Sequence, residues 1–175
     1  MPNMENILSS TVFRVLALIV GAMSVVSFTL RIIDFGLLPV AQNLVDYYRE
    51  ISHFVFAKPF EFFGISIPKY LPDAWALSFV GAAAYVSTPN IENSRFFRSR
   101  HRLTNTPQWK LYLFVVFGVT GLGLFVLLGA ASPTTYIDEM HNEPLNLSKG
   151  AARNALYIIG LALLFFVINA FAPNA

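Results

Sequence analysis

The chain has 175 residues, of which 55% are hydrophobic and only 13% charged, with a mean hydropathy of +0.57 and a net charge of +2. Soluble domains carry roughly 25% charged residues, so a water-exposed globule is not expected. The absence of cysteine excludes disulfides, thiol nucleophiles, Cys-ligated iron–sulfur clusters and thiolate zinc sites.

The apolar residues fall in long blocks, and blocks of about 18 or more read as membrane spans. The first runs from about Thr11 to about Ile33, with Arg14 and Arg31 bracketing its apolar core. No small-residue cleavage site follows that core, so it reads as a retained span and not as a signal peptide. Asp34 lies three residues after Arg31 and can pair with it on one helical face.

Gly36 and Pro39 break the pattern, and an amphipathic helix over about 39–57 follows. Ala41, Leu44, Val45, Tyr48, Ile51 and Val55 share one face; Gln42, Asp46, Arg49, Glu50 and His53 share the other. Too charged to cross a bilayer, this helix is expected to lie flat in the interface and to end at Pro59. Residues 60–72, with Phe60, Phe62, Phe63 and several Gly and Pro, are expected to dip into the headgroups or pack on the bundle.

A second span starts at Asp73, read as its N-cap, and runs to about Thr88, with Trp75 in the aromatic belt. A polar connector holds Arg95, Arg98, Arg100 and Arg102 against the single acid Glu92. Thr106-Pro107 opens a third span, about 109–131. After an acidic loop with Asp138, Glu139 and Glu143, Ser148 is expected to cap a fourth span, about 151–172. The expectation is one domain: an all-α integral membrane protein of four transmembrane helices plus an outer interfacial amphipathic helix.

Basic residues near span ends favour the cytoplasmic side. Placing the arginine-dense connector there, in a bacterial inner membrane, puts both termini in the cytoplasm. The twelve Lys and Arg then divide evenly between the sides, whereas eight of the ten acids fall outside.

In lipid, helices associate through small residues that allow close approach. Such stripes are Ala17, Gly21 and Ser24 in span one, Ala74, Ser78 and Ala82 in span two, and Gly118 and Gly121 in span three. They can serve packing within the chain or contact with another subunit. Arg95, Arg98 and Arg102 share a face if their segment is helical, a candidate contact for anionic lipid or a partner. Glu50-x-x-His53, with Asp46 one turn earlier and Glu139, His141 and Glu143 in the outer loop, offers a metal-site candidate (Glu50, His53, His141). A di-iron bundle needs two such pairs and two further carboxylates. Asn146-Leu147-Ser148 matches a glycosylation acceptor.

No cofactor and no catalytic residue are predicted, and nucleic acid is not an expected partner. The expected partners are the bilayer and other membrane subunits or a second copy. The leading functional reading is a non-catalytic subunit that packs into a larger membrane assembly through small-residue faces and an aromatic outer loop. An oligomeric channel or carrier lined by Ser24, Ser78, Thr120 or Asn169 is the first alternative. A membrane enzyme with a metal or acid/base site at the outer interface is the second.

Overall fold

The structure is a computed structural model that describes residues 11–33, 35–88, 91–94, 97, 108–129 and 147–172. These are predominantly helical, and no strand occurs among them. Helix α1 spans Thr11–Ile32, an unbroken apolar run between Arg14 and Arg31. It is long and apolar enough to cross a membrane, as is the stretch Lys149–Phe171 of the last helix. A bent pair of shorter helices counts as a third candidate only if taken as one span, so four spans are not confirmed.

Helix α2 spans Pro39–Ser52, with Pro39 in its first turn where no N–H is needed. The expected stop at Pro59 does not occur. Residues His53–Ala57 form a π turn, in which the Lys58 N–H reaches the His53 carbonyl, and α3, Lys58–Phe62, follows directly. A proline inside a helix crowds the carbonyl four residues back, and the widened turn just before Pro59 absorbs that misfit. The rod ends at Gly64, whose φ of +73° is left-handed. There the Ile65 N–H bonds the Phe60 carbonyl at 3.0 Å, a helix end that favours glycine.

The faces of α2 differ from the two-sided expectation. Val45 and Ser52 are buried, with Ala41, Tyr48 and Arg49 partly buried beside them. Leu44, Ile51 and Val55, assigned to the apolar face, are exposed, and the first two join Val40, Tyr47 and Phe54 on one stripe. Gln42, Asp46, Glu50 and His53 form a third, exposed polar sector. At about 100° per residue, one sector meets the bundle, one presents hydrocarbon and one presents polar groups. Three such sectors suit a helix at a bilayer surface that is also packed against protein.

Helix α4, Leu71–Val86, is the hub of the fold, with ten buried residues among its sixteen. It begins two residues before the expected N-cap; Tyr70 precedes it and no side chain caps it. Asp73 is therefore inside the first turn, and its side chain is used elsewhere.

The expected third span is broken. Helix α5, Trp109–Thr120, and α6, Leu122–Gly129, meet at 88° across Gly121, whose φ is +82°. A break leaves the last carbonyls of a helix without partners, and α4 supplies them. Ser78 Oγ donates to the Phe117 carbonyl at 2.9 Å, and Trp75 Nε1 donates to the Val119 carbonyl at 3.1 Å. The Gly121 carbonyl accepts from the Leu124 N–H at 3.0 Å, which starts α6. Glycine makes the seat possible: a Cβ on Gly81 would strike the Gly123 carbonyl, and one on Gly123 would strike the Ser78 carbonyl.

Helix α7 spans Leu147–Phe171, so Ser148 lies within the helix and does not precede it. Its direction follows from its neighbours along α1. A Cβ on Gly21 would meet Ile158 at 2.9 Å, Val26 packs with Ala162, and the Phe35 and Phe166 rings lie 5.7 Å apart. Helices α1 and α7 thus run parallel, whereas four consecutive crossings would make them antiparallel. Helix α4 opposes both: Asp73 in its first turn meets Arg31 at the end of α1, and Tyr85 and Val86 at its end pack with Ala151 of α7. Helix α5 starts near that second end, rises to the level of Trp75, and α6 turns back until Val126 joins Tyr85 and Val86.

Candidate functional site: a buried polar knot joining three helices

The densest polar group among the described residues sits where the end of α1, the middle of α2 and the start of α4 converge. Asp73 is fully buried in the first turn of α4, where unpaired N–H groups favour a carboxylate. Its Oδ2 accepts from Arg31 Nε at 2.9 Å and from Ser27 Oγ at 3.1 Å. Arg49 reaches in from α2, donating through Nε to Ser27 Oγ at 3.0 Å and through Nη2 to the Ser27 carbonyl at 3.3 Å. Its Nη1 lies 3.6 Å from Asp46.

One turn back along α1, Ser24 is also fully buried. It donates to the Val20 carbonyl at 2.9 Å, and its oxygen lies 2.6 Å from Tyr48 Oη. Burial pushes the Tyr48 phenol up to about 12; the nearby Asp73 charge also raises it, against the hydrogen bond with Ser24. Tyr48 therefore stays neutral at ordinary pH. Within the knot, two buried oxygens, Asp73 Oδ1 and Ser52 Oγ, have no hydrogen-bond partner among the described residues.

Two guanidinium groups, Arg31 and Arg49, are matched by two carboxylates, Asp73 and Asp46, so the charges in and around the knot balance. It contains no imidazole and no thiol, and except for Ser52 its hydroxyls are engaged with backbone carbonyls, a carboxylate or each other. Chemically it can tie the three helices together. A second polar tie closes the same end of the bundle. Asn169 Oδ1 accepts from the Leu38 N–H at 2.8 Å, and its Nδ2 donates to the Gly36 carbonyl at 3.2 Å. It holds the α1–α2 connector onto the end of α7.

The sequence-derived candidates are placed as follows. Glu50 and His53 are exposed, and His53 Nε2 lies 3.0 Å from Glu61 Oε1 across the π turn, not beside Glu50. His141, Glu139 and Glu143 lie outside the described residues, and no group of three His, Cys, Asp or Glu side chains gathers among the described ones. Arg95, Arg98 and Arg102 also lie outside the described residues. Gly21 and Ser24 are buried and Ala17 half-buried on α1; Ser78 and Ala82 are buried and Ala74 half-buried on α4. Gly118 is buried beneath the Phe79 ring, and Gly121 is the hinge of the break. Thr120, a proposed pore liner, closes on its own helix at the Val116 carbonyl, 2.6 Å away.

Asp34, the expected partner of Arg31, lies outside the described residues, and Arg31 pairs with Asp73. Sequence reading missed this pair although one signal was present. Arg31 ends one apolar run and Asp73 opens the next, so two adjacent antiparallel helices bring them to the same level. The role of Asn169 leaves no such signal.

No protein-family model matches the chain, and comparison with curated proteins and with solved structures gives no significant match.

Proposed function

We propose that this chain is a non-catalytic, multi-pass membrane subunit that docks into a larger membrane assembly through the exposed side of its α2–α3 rod. The observation that carries the reading is the stripe Val40, Leu44, Tyr47, Ile51 and Phe54, all roughly half or more exposed. Lipid requires only that such a stripe be apolar. Its alternating spacing of four and three residues is what a second helix requires. Phe62 and Phe63, 86% and 76% exposed, add apolar surface at the end of the rod. The small-residue ladder of α4 is spent against α5 and α6, which leaves the rod as the surface for other subunits or a second copy.

The membrane arrangement in this proposal has three crossings, α1, α4 and α7, with α5–α6 as a re-entrant hairpin. Irregular backbone at membrane depth is tolerated where protein covers it, and Trp75 and Ser78 provide that cover. Parallel α1 and α7 require an odd number of crossings. Helix α4, at 16 residues, covers about 24 Å, short of the roughly 30 Å hydrocarbon slab. Its burial among other helices lets it tolerate that mismatch better than a lipid-facing span. Charge supports the arrangement. One end then holds Arg14, the four connector arginines, Lys110, Lys149 and Arg153; the other holds Arg31, Arg49, Lys58 and Lys69. Eight against four replaces an even split, and the eight mark the cytoplasmic side of, for example, a bacterial inner membrane.

The channel reading draws little support, since Ser24, Ser78, Thr120 and Asn169 each bond a backbone group of their own or a neighbouring segment. The test is extraction in a mild detergent followed by identification of the proteins that come along. A discrete stoichiometric complex is expected, and Leu44→Asn/Ile51→Asn should release this chain from it without altering its helical content. A chain that emerges alone and monomeric would overturn the assembly reading.

A further inference from the structure

Beside the knot, a cleft of about 410 Å³ opens between the end of α1 and the turn leading into α4. Phe28 and Ile32 form its apolar wall, Tyr70 lies at its rim, and Arg31 and Lys69 supply its charges. Arg31 uses Nε on Asp73, and no described residue accepts from its two terminal nitrogens. Lys69 is exposed and has no ion-pair partner among the described residues. Among the described residues the carboxylate within reach is Asp73, which is buried and already shared between Arg31 and Ser27. The cleft's lining therefore presents two cations and no acid among the described residues.

We propose that this cleft binds the phosphate of an anionic phospholipid headgroup. A planar guanidinium whose Nε edge is fixed by a buried carboxylate offers its other edge in a set direction, the geometry suited to two oxygens of one phosphate. Lys69 adds a second, flexible point charge. The apolar wall selects the source: Phe28 and Ile32 lie on α1, a helix apolar and long enough to cross a membrane, and can carry the first methylenes of an acyl chain. Free phosphate would gain nothing from that wall. Tyr70 matches the headgroup level, where its ring and hydroxyl meet different surroundings. The inference rests on this end of the bundle lying at the bilayer surface and does not depend on the docking role of α2.

The experiment uses the full chain in detergent, titrated with short-chain phosphatidylglycerol, with short-chain phosphatidylcholine and with inorganic phosphate, and read by native mass spectrometry and thermal unfolding. The expected result is saturable binding of phosphatidylglycerol with a raised unfolding temperature, and weaker binding of phosphatidylcholine. Removing one surface cation should cost about fivefold in affinity, so Lys69→Ala is expected to weaken phosphatidylglycerol binding about that much and Lys69→Glu further. Lys58→Glu places the same charge change at the same end but outside the cleft, and should leave binding intact. Equal loss in the Lys58 and Lys69 variants would reduce the effect to diffuse attraction and overturn the site. Displacement of the lipid by inorganic phosphate at equal concentration would overturn the lipid as its ligand.

Discussion

Asp73 concentrates the polar energetics of this protein in one side chain. It is fully buried, and its Oδ2 serves Arg31 and Ser27 together. Removing one partner of a buried ion pair leaves the other charge uncompensated, at about 3–5 kcal/mol. Arg31 keeps a quarter of its side chain exposed, so Asp73→Asn is expected at the lower end, about 3 kcal/mol. Replacing both partners with apolar residues, Arg31→Met/Asp73→Leu, should recover most of that loss. Chemical denaturation in detergent checks both. An Asp73→Asn protein as stable as the parent would show that the pair holds nothing together. The same residue shows the limit of reading charges locally. The spacing of Arg31 and Asp34 along one helix is visible in sequence, whereas a partner forty-two positions away depends on which helices neighbour each other.

Among elements, the α4–α6 crossing is the tightest. Gly81 and Gly123 face each other with backbone atoms where a methyl group would go, and overpacking against backbone cannot be relieved by a rotamer change. Gly123→Ala should therefore destabilise the folded chain by about 2 kcal/mol or more. Gly160 on α7 faces open space, and Gly160→Ala should be neutral or stabilise by up to about 1 kcal/mol. Thermal unfolding of the two variants side by side measures the contrast; equal behaviour would mean the crossing is looser than its geometry implies. Element existence was legible from hydrophobic blocks for α1, α2, α4 and α7, because long apolar or amphipathic runs leave few alternatives. The break at Gly121 was not. Gly118 and Gly121 read equally well as a packing stripe, and only Ser78 and Trp75, placed on a different helix, reveal where the freed carbonyls find donors. Pro59 misled in the other direction, since the turn that accommodates it is a property of the five residues before it.

For the whole molecule, the proposed arrangement makes a prediction that the absence of native cysteine renders clean. Single cysteines introduced at Ser66, in the connector between α3 and α4, and at Ala172, at the end of α7, should both react with an impermeant thiol reagent added to the same face of the membrane. A cysteine at Arg98 should react only from the opposite face. Labelling of Ala172 and Arg98 from one face would restore an even number of crossings. The proposed sidedness draws on sequence and structure in unequal parts. The density of arginines in one connector points to a cytoplasmic face, whereas the proposed count of crossings rests on the relative direction of α1 and α7. That direction is carried by contacts such as Gly21 with Ile158 and Asn169 with Leu38, which no periodicity encodes.

The parallel run of α1 and α7 has a consequence for how such a chain is made. In the proposed arrangement α5–α6 enters and leaves on one face, and the chain joining α6 to α7 then needs no export. The insertion machinery in that arrangement has one long cargo to carry across before α7, the segment between α1 and α4 that includes the α2–α3 rod. The last helix would then enter as an independent unit, with Lys149 and Arg153 held back at its leading edge.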